Sequence, residues 1–143
     1  MAVKIVGAGK SLPRKKVLNS ELPKELETSD EWIRSHTGIG NRYVCSEDEN
    51  SATLGTNAAV QALLNAQSNG CSVKAEDIDL IVCSTATAVH WSFPSNACLI
   101  QRGLGASKAA VFDLTAACSG FIYAMQVGRS MLNQMNWKHA LIV

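Results

Sequence analysis

The sequence predicts an α/β fold: a mixed, largely parallel sheet with helices on both faces. Three observations carry this. Short apolar, β-branched runs alternate with segments of helical periodicity, the order expected of a layered α/β chain. No repeat, low-complexity stretch or linker divides the 143 residues. Charged residues make up 17% of the chain, below the usual average of about 25%, so much of the surface is buried inside the fold or against a partner.

The elements follow in order. Residues 1–8 form a short apolar run that reads as a strand, ending at Gly7 and Gly9. Gly7-Ala8-Gly9-Lys10-Ser11 looks like a phosphate loop, but Lys4 stands where its first glycine is needed, and Pro13 opposes the required helix. Asn19 to Leu26 suits one or two helical turns. Thr28-Ser29-Asp30-Glu31 has capping-box spacing from Thr28 to Glu31, with Ser29 or Asp30 as alternative caps, and Gly38 is the natural stop. Asn41 to Asn50 is polar and reads as a loop.

Ser51 to Gln67 places Leu54, Ala58, Ala62 and Ala66 on one helical face, and Ser68-Asn69-Gly70 ends it. Ile78 to Ser84 is a buried parallel strand by its unbroken apolar character. A loop, Thr85 to Ser92, leads to Pro94, suited to a first helical turn, and a helix over 95–102 that Gly103 and Gly105 terminate. Ala109 to Leu114 is the next strand and Cys118 to Met135 the next helix. His139 to Val143 begins another strand, and the sequence stops within it, as a truncated last strand would.

Composition excludes several classes of function. Thirteen basic and twelve acidic side chains give a net charge of +1 without a long run of either sign, which argues against a nucleic-acid footprint. Five cysteines without CxxC spacing suggest neither a zinc site nor a disulfide framework, so no metal is predicted. The N-terminus has no uninterrupted apolar segment, and the low-charge stretch 109–128 contains Asp113, Thr115, Ser119 and Gln126. A reduced, cytoplasmic protein with neither signal peptide nor membrane span is the reading.

The most informative stretch is Val111 to Phe121. A strand ends in small residues, and Cys118 opens a long helix whose only charge is Arg129. A thiol there faces unpaired backbone N–H groups and the positive end of the helix dipole, both of which favour thiolate. Phe121, Ile122, Ala124, Met125 and Gly128 spread apolar or small residues round the helix, which predicts burial on several sides and a thiol deep in a cleft. The alternative is a buried cysteine used as a small hydrophobe. Trp32 is likewise either a core aromatic or a flat stacking surface near Arg34 and Arg42.

Three motifs in order then resemble one family. Thr28-Ser29-Asp30-Glu31-Trp32-Ile33 with Thr37-Gly38-Ile39, Phe93-Pro94-Ser95, and Asp113-Leu114-Thr115-Ala116-Ala117-Cys118-Ser119-Gly120-Phe121 are similar to landmarks of β-ketoacyl-acyl-carrier-protein synthase III. The resemblance implies the thiolase-like fold of two similar halves, residues 1–143 being the N-terminal half-domain and the C-terminal half lying outside this chain. It implies an acyltransferase that initiates fatty acid biosynthesis as a homodimeric condensing enzyme. Cys118 would take the acyl group of acyl-coenzyme A, and malonyl-acyl carrier protein would then condense with it after losing carbon dioxide. The backbone N–H of Cys118 would be an oxyanion donor.

Trp32 would stack on the coenzyme's adenine beside Thr28, and Phe93 would lie near the acyl pocket of the neighbouring subunit. Acyl-CoA would be a substrate, with no tightly bound cofactor, no nucleic acid and no membrane. Two positions depart from the family, which commonly carries arginines where His36 and Gly40 stand. His36 can still donate hydrogen bonds, and Arg42 or Arg34 could supply the missing charge to a phosphate. The family's catalytic histidine and asparagine match nothing here: His36, His90 and His139 lie outside that motif. Two alternatives stand beside this reading. One is a thiolase-fold synthase of polyketide or quinolone type with another acceptor; the other is a non-catalytic structural half that pairs with a separate chain.

Overall fold

The computed structural model describes residues 2–143, which form two compact units. The smaller unit, residues 12–50, contains β1 (Lys15–Leu18), two single 3-10 turns, α1 (Asp30–Thr37) and β2 (Asn41–Val44). β1 and β2 pair antiparallel, with Val17 opposite Arg42. The segment read as a loop is therefore partly a strand. Its Asn-Arg-Tyr-Val composition hides this, because the ladder rather than an apolar face defines it. The helix start is as the sequence foresees, with the cap at Ser29: its Oγ accepts from the Trp32 N–H at 3.1 Å. Gly38 closes α1 at φ 73°, a left-handed conformation that glycine adopts without penalty.

Asn19 holds this unit together, and nothing in the sequence singled it out. Buried, it donates to Asp30 Oδ1 at 2.8 Å and to the Ile39 carbonyl at 2.7 Å, and accepts from Arg42 at 3.2 Å. One amide thus ties the start of α1, the turn after it and β2, with its polar groups satisfied as burial demands.

The larger unit comprises residues 2–11 and 51–143 of those described. Its sheet has the strand order β4-β3-β5, built from β3 (Leu80–Ser84), β4 (Ala110–Leu114) and β5 (Ala140–Ile142), all parallel. Helices α2 (Ser51–Ser68), α3 (Asn96–Leu104) and α4 (Gly120–Met135) complete it. Alternation along β3 divides the core. Ile81 and Cys83 pack with Ala97 and Ile100 of α3, while Leu80 and Val82 pack with Ala124 of α4. A central strand buried on both faces explains the unbroken apolar run.

The N-terminal segment differs from its reading. Met1 lies outside the described residues, and residues 2–11 form no strand. A β-type run needs a ladder partner; this one instead lies on α2, where the Ala8 N–H donates to Asn65 Oδ1 at 3.0 Å. Gly7 and Gly9 lie so close to the α2 backbone that an added Cβ would overlap the Ala62 and Ala58 carbonyls. Close packing, not phosphate binding, accounts for the two glycines. Pro94 also sits earlier than read: Ser95 caps α3, accepting from the Cys98 N–H, and the Phe93–Pro94 bond is cis. Gly105 ends α3 at φ 78°, and Gly103 lies within the helix.

Candidate active site

Parallel β3 and β4 end side by side, with Ser84 opposite Leu114, and the chain beyond β4 turns at once. Ala116 and Ala117 lead into a 3-10 turn, Ala117–Ser119, that contains Cys118 and runs into α4. Ala117 has φ 44°, a left-handed conformation that costs an L-residue about 1–2 kcal/mol. Backbone held in such a region gathers at functional sites. Gly120, the first residue of α4, is buried against the end of β3: an added Cβ there would overlap Ser84 Oγ. The small residues around Cys118 let α4 start directly on the strand ends.

Cys118 is exposed, not deep in a cleft as the sequence suggested. The reason lies in α4. Its buried residues are Gly120, Ala124, Gly128 and Leu132, a narrow stripe at four-residue spacing that faces the sheet. Phe121, Ile122 and Tyr123 point outward and are exposed. The helix is apolar all round but buried on one side only.

Cys83 presents the opposite environment. It sits opposite Asp113 in the ladder, and burial, reinforced by the Asp113 charge, pushes its thiol up to about 11. Cys83 is therefore a buried small hydrophobe and the thiol at Cys118 a surface group. Beside them, Asp113 accepts the backbone N–H groups of Asn96 and Ala97, each at 2.8 Å. This neutralises two of the unpaired donors at the start of α3.

In the smaller unit, Trp32 is 55% exposed and thus a surface aromatic. His36, one turn on, stacks on it with ring centroids 4.3 Å apart and planes 21° apart. His36 Nδ1 lies 2.8 Å from the Trp32 carbonyl and 3.0 Å from Ser35 Oγ. Thr28 is exposed just before the Ser29 cap. Arg34 pairs with Asp30 at 2.8 Å, and the Asp30 carboxyl is held below the ordinary carboxylate range, first by Arg34 and then by the Asn19 amide. The Arg34 guanidinium fills the space over Gly40: an added Cβ would stand 2.5 Å from its Nη1 and 2.7 Å from its Nη2. Arg42 points inward to Asn19.

Phe93 is exposed on the loop between β3 and α3, as is His90. His139 sits at the opposite end of the sheet, before β5, with Nδ1 3.1 Å from the Asp77 carbonyl. A groove of about 300 Å³ between residues 2–7 and β5, lined by Val6, Leu63, Trp137 and Leu141 among others, contains none of the predicted site residues. Among the described residues, no cluster of His, Cys, Asp or Glu could hold a metal ion, and no helix is long and apolar enough to cross a membrane.

The parallel sheet flanked by helices, with a cysteine on the turn after a strand and at the foot of a helix, is a thiolase-like α/β architecture, the fold of its structural neighbours. Its relatives are β-ketoacyl-acyl-carrier-protein synthases III, the family that the three motifs resemble. The family model described as 3-oxoacyl-[acyl-carrier-protein (ACP)] synthase III matches residues 112–143. A β-ketoacyl-[acyl-carrier-protein] synthase III of Clostridium perfringens is 47% identical over 140 residues, which is 98% of this chain and 41% of that protein. The chain thus spans about two-fifths of the length of such relatives. The crystal structure of 3-oxoacyl-[acyl-carrier-protein] synthase III from Aquifex aeolicus VF5 superposes with a TM-score of 0.87 at 39% identity, covering 99% of this chain and 44% of that one. The priming β-ketosynthase of the R1128 polyketide pathway superposes with a TM-score of 0.86 at 33% identity, over 97% and 40% respectively.

Proposed function

We propose that this chain is the N-terminal, nucleophile-bearing half-domain of a β-ketoacyl-acyl-carrier-protein synthase III, acting in the cytoplasm as part of a homodimer. The single observation that carries the reading is Cys118 itself: an exposed thiol on a tight turn between a strand and a helix. In the first half-reaction the Cys118 sulfur bonds to the carbonyl carbon of acyl-CoA, and coenzyme A leaves as its thiol. A thiolate performs this attack without a base in the act. The Cys118 N–H, in the first turn of a helical segment, is the proposed donor to the oxyanion.

Coenzyme recognition falls to the smaller unit. Trp32 offers a face to the adenine, with Thr28 beside it. His36 already occupies one side of the indole, which leaves the other for the ligand. His36 Nδ1 is engaged by the Trp32 carbonyl and Ser35 Oγ, which leaves only Nε2 to face a phosphate. Arg34 pairs with Asp30 through Nε only and holds Nη1 and Nη2 over Gly40, which makes it the better substitute for the missing arginines; Arg42 uses Nη2 on the buried Asn19. Phe93 is proposed to line the acyl pocket, and the exposed residues Trp91, Phe93 and Phe121 favour a second copy as partner over a solvated apolar surface.

The second half-reaction, in which malonyl-acyl carrier protein loses carbon dioxide and its carbanion attacks the acyl-Cys118 thioester, needs a histidine and an asparagine that no motif in this chain matches. The 143-residue polypeptide alone is therefore proposed to be inactive in condensation, with acyl-CoA a substrate and no tightly bound cofactor. Incubating it with acyl-CoA and malonyl-acyl carrier protein tests this: β-ketoacyl product, free of any longer enzyme, overturns it. The R1128 likeness keeps a polyketide-type acceptor as the second reading. A donor and acceptor panel on the longer protein separates the two.

A further inference from the structure

One buried polar cluster in the larger unit has no part in the chemistry above. Asn96, at the start of α3, is 0% exposed. Its Oδ1 accepts from the Val89 N–H at 2.9 Å and its Nδ2 donates to Ser51 Oγ at 2.8 Å. Ser51 Oγ in turn donates to the Thr87 carbonyl at 2.8 Å. Two successive links from one amide therefore hold the loop 85–95 from within. Asp113 fixes the same point from the sheet, through the N–H groups of Asn96 and Ala97.

These contacts converge at the carboxyl ends of β3 and β4, where ligands bind in parallel α/β sheets. Asp113 lies on the strand that leads to Cys118. The loop it anchors follows Ser84, the last residue of β3, against which Gly120 packs, and Thr115 Oγ1 reaches the Thr85 carbonyl at 3.5 Å. Phe93, on the far part of the loop, is 79% exposed, so its own packing does not hold it. The buried Asn96 amide ties the loop at Val89 and, through Ser51, at Thr87, and the Asp113 carboxylate fixes its far end at the start of α3.

We propose that Asn96 and Asp113 are positioning residues that fix the Phe93 loop on the sheet and thereby set which acyl chains are accepted by the pocket that Phe93 lines, that of the neighbouring subunit. The proposal rests on Cys118 being the acylated thiol and on Phe93 of one copy lining the acyl pocket of the other. It makes Asn96 a determinant of acyl-donor selectivity acting through the loop, with no contact to substrate.

The test measures Cys118 acylation by acetyl-CoA and by octanoyl-CoA in the wild type and in Asn96→Ala. Each rate is normalised to the Cys118 that iodoacetamide labels. The ratio of the two rates should change by about tenfold in the variant, while iodoacetamide labelling of Cys118 stays within about twofold of wild type. A purely structural role would lower both rates together and leave the ratio unmoved, and an unmoved ratio overturns the proposal. Asp113→Asn keeps one acceptor for two N–H groups and should shift the ratio in the same direction by less; it carries the test if Asn96→Ala does not fold.

Hydrogen exchange at Val89 gives a readout that needs no acyl transfer. Loss of its acceptor should speed exchange roughly tenfold, and unchanged exchange overturns the anchoring. If wild-type Cys118 takes no acyl group at all, the assignment of the nucleophile fails, and selectivity through the loop fails with it. Accelerated exchange at Val89 would then show that the anchoring itself stands.

Discussion

The contrast between Cys83 and Cys118 gives the most quantitative prediction. Alkylation by iodoacetamide requires thiolate. With its thiol pushed up to about 11, folded Cys83 is about 0.1% ionised at pH 8, whereas an ordinary exposed cysteine of pKa about 8.5 is about a quarter ionised. Ionisation alone slows Cys83 roughly 200-fold, and burial inside the β3 core slows it further. Site-resolved peptide mass spectrometry over a labelling time course should find Cys118 and Cys45, both exposed, modified first, Cys71 and Cys98 later, and Cys83 last. Cys83 should be labelled freely only in denaturant. The same shift has a stability consequence of definite sign. The folded fold favours the neutral thiol, so this group's contribution is fully present below pH 9 and is lost as pH rises from about 9 through about 11. Labelling of folded Cys83 within about tenfold of Cys118 would refute both the assigned burial and the assignment of the two thiols to different roles.

Three further outcomes follow. Arg34→Ala should weaken acyl-CoA binding about five- to tenfold at low salt, and less at high salt; Gly40→Ala, whose Cβ would displace the guanidinium, should do the same with Arg34 still present. Calorimetric affinities equal to wild type in both variants would remove Arg34 from the phosphate site. Ser29→Ala, which deletes the cap on the Trp32 N–H, should destabilise the protein by about 1 kcal/mol in a denaturant titration, and a change below about 0.3 kcal/mol contradicts the cap. Ile81→Ala, in a fully buried central strand, should cost about 2–5 kcal/mol; a smaller loss would mean that the two faces of β3 are less tightly packed than described.

How far the sequence reveals the molecule depends on what holds each element. β3 was legible because both of its faces are buried, which leaves an unbroken apolar run. α1 was legible because its signals are local: Ser29 caps its first turn and Gly38 its last. β1 and β2 were not, because neither Lys15–Leu18 nor Asn41–Val44 has an apolar face, and each becomes a strand only by pairing with the other across more than twenty residues of chain. Residues 2–8 are the converse case, with strand composition but no ladder partner. At the site, the position of Cys118 was visible from the strand, the small residues and the helix that follows. Its exposure was not, since sequence cannot tell which side of an all-apolar helix meets the sheet. The partners of Asn96 and Asp113 lie on different elements, so a helix-start Asn and a strand Asp carried no signal of their joint role.

The proposed function stands or falls with Cys118 as the residue that accepts an acyl group. Incubating the purified protein with acetyl-CoA and mapping the acetyl thioester by peptide mass spectrometry tests this most directly, with hydroxylamine cleavage as the check on thioester chemistry. One acetyl group is expected on the Cys118 peptide, labile to hydroxylamine and absent from Cys118→Ala. An acetyl thioester carried by another cysteine, or labelling undiminished in Cys118→Ala, would contradict it.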